Sequence, residues 1–203
     1  MRATIARLRL RRAAVRLADH RWDVLRGACW ATDRYRCGPG CATVSCHPAY
    51  THGEALLWPL EATRDAGTAA AWWQEQPHTV LLATGGALDV LEIPAYLGRP
   101  TGSDARGPVA ATGTGRYLLM VAPGGALREE LAALPEVVLH GAGSWVQVPP
   151  ATAPHDGVRW IVSPEEVDWR LPAPAVVQGE LARSLPRLRE VPRPGRRALR
   201  QAA

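Results

Sequence analysis

The stretch from Arg36 to Tyr50, RCGPGCATVSCHPAY, gathers three thiols and an imidazole. Cys37 and Cys41 flank a Gly-Pro-Gly turn, and Cys46 and His47 follow close behind. Thiolates and an imidazole on one tight loop are the ligands that tetrahedral Zn²⁺ takes, and the glycines let the backbone bend sharply enough to converge them. Cys37, Cys41, Cys46 and His47 are therefore candidate ligands. Adjacent residues 46 and 47 do not readily reach one ion, so Cys29 enters as an alternative fourth ligand. A zinc held this way would be structural, since no open coordination position can be argued. The competing reading is a set of reduced, partly buried cysteines without metal.

Other polar residues offer weaker chemistry. TGTGRY, residues 112–117, is a Gly-rich turn beside Arg116, suited to gripping a phosphate through backbone N–H groups and a guanidinium, or simply to turning the chain. Trp72 and Trp73 can stack on bases or divide between core and boundary. His140, next to Gly141, is either a polar site group or an ordinary satisfied histidine. His155, Asp156, Glu165 and Glu166 lie in loop-like sequence and read as solvated. The segment Ala83 to Gly86 lacks the spacing of a dinucleotide fingerprint. No G-x-S-x-G elbow, H-E-x-x-H pair or Walker-type loop occurs, which argues against hydrolase, metalloprotease and NTPase readings.

These residues need a scaffold, and 203 residues with 47% hydrophobic content suffice for one packed domain. Apolar residues at helical spacing predict an amphipathic helix from Thr4 to about Val24. Residues 28–59 show no periodicity and read as an inserted Cys-rich loop. A second helix is expected from Asp65 to Gln76, stopped by Pro77. Strands are expected at 79–84, 87–93, 116–121, 137–140, 144–148 and 159–162, with a short helix at 127–134. The order predicts an α+β fold with an antiparallel or mixed sheet flanked by helices. Residues 1–180 read as one domain, and the Pro/Arg-rich residues 181–203 as a flexible tail.

The formal charge is +5, with no lysine and no phenylalanine, a composition typical of a GC-rich genome. The arginine count is thus a weak argument for polyanion binding, although the basic first helix and the run from Arg183 to Arg200 could meet a phosphate backbone. Arginines interrupt every apolar run near the N-terminus, so neither a signal peptide nor a membrane span is expected, and a cytoplasmic location follows.

Several segments, in order, resemble the N-terminal domain of the bifunctional DNA primase/polymerase family of the archaeo-eukaryotic primase superfamily. They are LADHRWDVL, CGPGC…CHPA, AAWWQEQP, TVLLATGGALDVLEIP, GTGRYLLMVAPG and HGAGSWVQVPPAT…GVRW. LLATGGALDVLEIPA also resembles a divergent actinobacterial branch. The resemblance implies two-metal nucleotidyl transfer with Mg²⁺ or Mn²⁺, using a D-x-D pair on one strand, a histidine on a later strand and a further aspartate on the next. Set on this chain, the first acid falls on Asp89 and the second on Leu91, while Tyr117 takes the histidine position and Val138 the last acid position. Glu92 is three residues from Asp89, so on a regular strand it faces the opposite way.

The function expected from this resemblance is nucleotide or nucleic-acid binding at a degenerate two-metal site. Asp89 is the retained acid, Glu92 a possible second, and Arg116, Tyr117 and His140 contact phosphate. Two alternatives stay open: a non-catalytic interaction or regulatory module that reuses the fold, and an active DNA primase/polymerase with a remodelled site. Because no helicase-like region follows, work on DNA would call for a replication-type protein partner.

Overall fold

The computed structural model describes residues 2–31, 33–37, 41, 45–49, 61–150 and 157–189. Among these are four α-helices and nine strands. The expected His155 and Asp156, residues 50–60 of the loop and residues 190–203 of the tail lie outside the described residues.

Helix α1 (Arg2–Asp19) buries Leu10, Ala14, Leu17 and Ala18 on one stripe and carries its arginines elsewhere, as its 3.6-residue period demands. Strands β1 (Val24–Ala31) and β2 (Arg34–Arg36) follow as an antiparallel pair. They correct the reading of residues 28–59 as loop throughout. Strand β1 buries residues of both parities, Val24 and Leu25 and then Gly27 and Ala28, so its VLRGACWA sequence lacks the in–out alternation that marks a half-exposed strand. Gly27 is required there, since a Cβ would lie 2.8 Å from the Thr79 carbonyl oxygen.

Asp65 caps helix α2 (Ala66–Glu75) by accepting the Thr68 N–H at 2.6 Å. Trp73 on α2 is fully buried and donates its indole N–H to the His78 carbonyl at 2.7 Å, so it is core and not a stacking platform. Its neighbour Trp72 is half-buried beneath the Arg26 guanidinium, 4.6 Å from the ring centre.

Strands β3 (His78–Ala83), β4 (Asp89–Pro94), β5 (Val109–Ala111), β6 (Arg116–Val121), β7 (Val138–His140), β8 (Trp145–Gln147) and β9 (Arg159–Val162) complete two sheets, with the short helix α3 (Glu129–Ala132) between β6 and β7. Their orders are β2-β1-β3-β8 and β7-β4-β6-β5-β9. Every strand pairing is antiparallel. The fold is thus α+β with antiparallel sheets flanked by helices, as expected, with two sheets where one was anticipated.

One core lies between the sheets and beneath α1 and α2, around Leu17, Trp22, Trp73, Leu82, Val90 and Met120. The other face of the β4 sheet buries Leu91, Ile93, Leu119 and Val121 against α3 and helix α4 (Pro174–Arg189). Helix α4 has no counterpart in the sequence reading and takes in residues assigned there to the tail. Gly179 and Pro186 weaken its local helical signal, and Val177 and Leu181 anchor it through tertiary burial. Its buried Gln178 accepts the Arg128 N–H at 2.7 Å and donates to the Ala126 carbonyl at 2.9 Å. None of the described helices is long and apolar enough to cross a membrane.

Candidate functional site

Residues directly opposite one another in an antiparallel ladder point to the same face, and neighbours along a strand alternate. In the β4 sheet, Glu92 is paired with Leu118 on β6 and with Val138 on β7, Pro94 with Arg116, and Val90 with His140. Glu92, Arg116, Val138 and His140 therefore share the face turned toward the first sheet. Asp89 is paired with Val121 and Tyr117 with Ile93, and these four belong to the opposite face. The structure brings Glu92, Arg116 and His140 together and separates Asp89 and Tyr117 from them.

Glu92 is the hub of this face. One of its carboxylate oxygens accepts from Arg116 Nε, and the other lies 2.7 Å from His140 Nε2. The far nitrogen of that ring, Nδ1, lies 2.9 Å from Ser144 Oγ. An ionised carboxylate only accepts, so a neutral His140 carries its proton on Nε2, and the Ser144 hydroxyl donates to Nδ1. Arg116 also donates to the Glu136 carbonyl. The hydrogen bond from His140 is the largest influence holding the Glu92 carboxyl below its ordinary range; burial opposes it, and Arg116 reinforces it. All three side chains are about one-fifth exposed.

The group opens into a cavity of about 470 Å³ whose lining includes Glu92, Thr112, Thr114, His140, Ser144 and Gln147. Hydroxyls, an amide and an imidazole thus surround one engaged carboxylate. Sequence reasoning missed Ser144, and valued the TGTGRY turn for its backbone N–H groups and Arg116 rather than for the Thr112 and Thr114 hydroxyls. Ser144 is legible only once the Gly141–Gly143 turn folds it back over His140. That turn is held by the Thr84 hydroxyl, which donates to the Gly141 carbonyl at 2.6 Å.

Asp89 is 2% exposed. Its Oδ2 accepts the Gly124 N–H at 2.8 Å, and Oδ1 is buried without a hydrogen-bond partner among the described residues. Glu165 pairs with Arg16 at 2.8 Å, and Glu166 joins Ser163 in a capping box.

A second cluster lies beside the β1–β2 hairpin. The ligand atoms of Cys37, Cys41 and His47 all fall within 4.8 Å of one another, and these three could hold a metal such as zinc. Cys41 Sγ is 3.5 Å from His47 Nε2, close to the ligand–ligand edge that Zn–S and Zn–N bonds of about 2.3 and 2.0 Å give in a tetrahedron. His47 Nδ1 lies 2.8 Å from the Ser45 carbonyl, a contact that puts the proton on Nδ1 and leaves Nε2 as the ligand nitrogen. Cys46 is not one of the trio and packs near Ala28 and Tyr35. Cys29 turns toward β3, with Sγ 3.6 Å from His78 Nδ1, and burial, more than the nearby Cys37, pushes its thiol up to about 11. No disulfide links the four cysteines.

A family model described as "Bifunctional DNA primase/polymerase, N-terminal" matches residues 14–175. Comparison with curated proteins and with solved structures finds no match.

Proposed function

The chain belongs to the bifunctional DNA primase/polymerase N-terminal family, and from that premise we propose that it binds a nucleoside triphosphate or nucleic acid at the Glu92–Arg116–His140 face without efficient polymerisation. The observation that carries this reading is the pairing of Glu92 with Val138. The family pattern needs its acids on one face, and the acid that shares a face with the Val138 position is Glu92, not Asp89. Two residues on from Glu92 stands Pro94, opposite Arg116. On this register Pro94 and Arg116 replace the second acid and the histidine, where the sequence alone pointed to Leu91 and Tyr117.

This donor set does not fit a two-metal centre. Its one carboxylate is engaged by an arginine and a histidine, and Mg²⁺ surrenders its waters only where several oxygen ligands share the work. What remains suits a phosphate: an imidazole and the hydroxyls of Thr112, Thr114 and Ser144 line the open cavity, and the Arg116 guanidinium sits on the carboxylate beside them. The Cys37–Cys41–His47 trio fits a structural Zn²⁺ that would tie Cys41 and His47 to Cys37 at the end of the β1–β2 hairpin. Zinc would supply cross-linking there and no reaction step.

The test is titration of purified protein with a labelled dNTP, with and without Mn²⁺, beside a primer-extension assay. Binding that His140→Ala and Arg116→Ala weaken, with no extension, is the expected result. Mn²⁺-dependent incorporation abolished by Glu92→Gln would instead identify an active polymerase. No binding at millimolar nucleotide would leave a fold reused for protein contact.

A further inference from the structure

A groove between α1 and the segment around β9 lies one short step from the site above. It is lined by Arg9, Arg12 and Arg16 from α1, Trp160 from β9, and Trp169 and Glu165 from the segment after β9. The spacing of the arginines, three and then four residues, sets them in one row along the helix. Arg9 and Arg12 are exposed, and neither has a hydrogen-bond or ion-pair partner among the described residues. Only Arg16 is matched by a carboxylate, that of Glu165. Both indoles are half-buried. Trp169 is braced by His20, stacked at 3.5 Å and 8°, which leaves it held rigidly at the groove. The volume is about 340 Å³.

The groove also continues the sheet site. Gln147 and Val158 line the cavity beside Glu92, whereas Pro149 and Trp160, each two residues further along, line the arginine groove. Two residues of extended chain span about 7 Å, so a strand of nucleotides leaving the one would enter the other.

Resting on the reading that this chain binds nucleotides, we propose that the α1 groove is a binding track for single-stranded nucleic acid, with Arg9 and Arg12 on the phosphates and Trp160 and Trp169 against the bases. Two unmatched guanidiniums over an aromatic floor are complementary to a chain that alternates anionic phosphates with flat, stackable rings. An acidic peptide would satisfy the arginines and leave the indoles unused.

The experiment is fluorescence anisotropy of a labelled oligothymidylate of about 20 nucleotides, at salt from about 50 to 200 mM, with the full chain. Wild type is compared with the Arg9→Glu/Arg12→Glu double variant, and 5-bromodeoxyuridine oligonucleotides are photocrosslinked and mapped. The track predicts at least about tenfold weaker binding in the double variant, a salt slope reduced by about 1.4 for the two lost phosphate contacts, and crosslinks in the peptides bearing Trp160 or Trp169. Dissociation constants equal to wild type, or crosslinks elsewhere, overturn it. If wild type binds dNTP but the double variant holds the oligonucleotide unchanged, the track fails and the proposed function stands. If wild type binds neither ligand, both fail.

Discussion

His140 Nε2 lies 2.7 Å from Glu92 Oε2, joining two residues 48 positions apart in the chain across the β4–β7 ladder. The carboxylate they share with Arg116 is therefore held in place and in its ionised form. A rigid, ionised Glu92 fixes the His140 imidazole, which lines the cavity, and holds the Arg116 guanidinium through its Nε.

Glu92→Gln tests how much of the fold's acid sensitivity sits in this group. Its carboxyl titrates below the ordinary 4.5 in the folded protein, so its stabilising contribution is complete above that value and is lost as pH falls through the lower folded value. The wild type should lose more stability than Glu92→Gln between about pH 5 and pH 3. At neutral pH the variant should be less stable by about 1–3 kcal/mol. Urea denaturation at a series of pH values checks both; parallel pH profiles would refute the assignment.

Asp89→Ala should act on stability and spare nucleotide binding. It strips the Gly124 N–H of its carboxylate acceptor and removes a buried side chain, a loss of about 1–3 kcal/mol. A dNTP titration of the folded variant should give the wild-type dissociation constant. A large loss of binding without a change in stability would return Asp89 to the site.

Zinc occupancy should depend on the Cys37, Cys41 and His47 ligand atoms. Native mass spectrometry of protein expressed with zinc should show about one ion per chain, lost in Cys41→Ser and in His47→Ala. Chelation should lower the melting temperature of wild type and leave that of Cys41→Ser unmoved. Full metal retention in both variants would place the ion elsewhere.

Gly85→Ala should damage the site from outside it. Gly85 has φ +90°, and a Cβ there would lie 2.2 Å from the Ala142 Cα, in the turn that carries Ser144 back over His140. Backbone strain together with that clash should cost about 2–4 kcal/mol. Thermal unfolding measures the loss, and the ring ¹⁵N shifts of His140 should move as its Ser144 contact is disturbed. A variant as stable as wild type would show that the two turns can part freely.

The two candidate sites differed in how far they could be read from sequence. Cys37, Cys41 and His47 fall within eleven residues around a glycine-rich turn, and short-range backbone geometry suffices to converge them. The opposed faces of Asp89 and Glu92 also follow from strand parity alone, whatever the strand pairs with. Periodicity likewise located α1, α2 and most of the strands of the second sheet. It failed for β1, whose buried residues fall on both faces, and for α4, whose glycine and prolines conceal a helix that tertiary burial stabilises.

Which acid faces the cavity was a different kind of question. Glu92 meets Arg116 and His140 because β4 pairs with β6 and β7 in one particular register, and shifting that register by a single residue would exchange every partner. Local sequence carries no record of that choice, since it is made by the packing of two cores and the turns at Gly85 and Gly141. The sequence by itself determined the chemical groups and the faces available to them; the tertiary structure alone decided that Glu92, and not Asp89, stands beside Arg116 and His140.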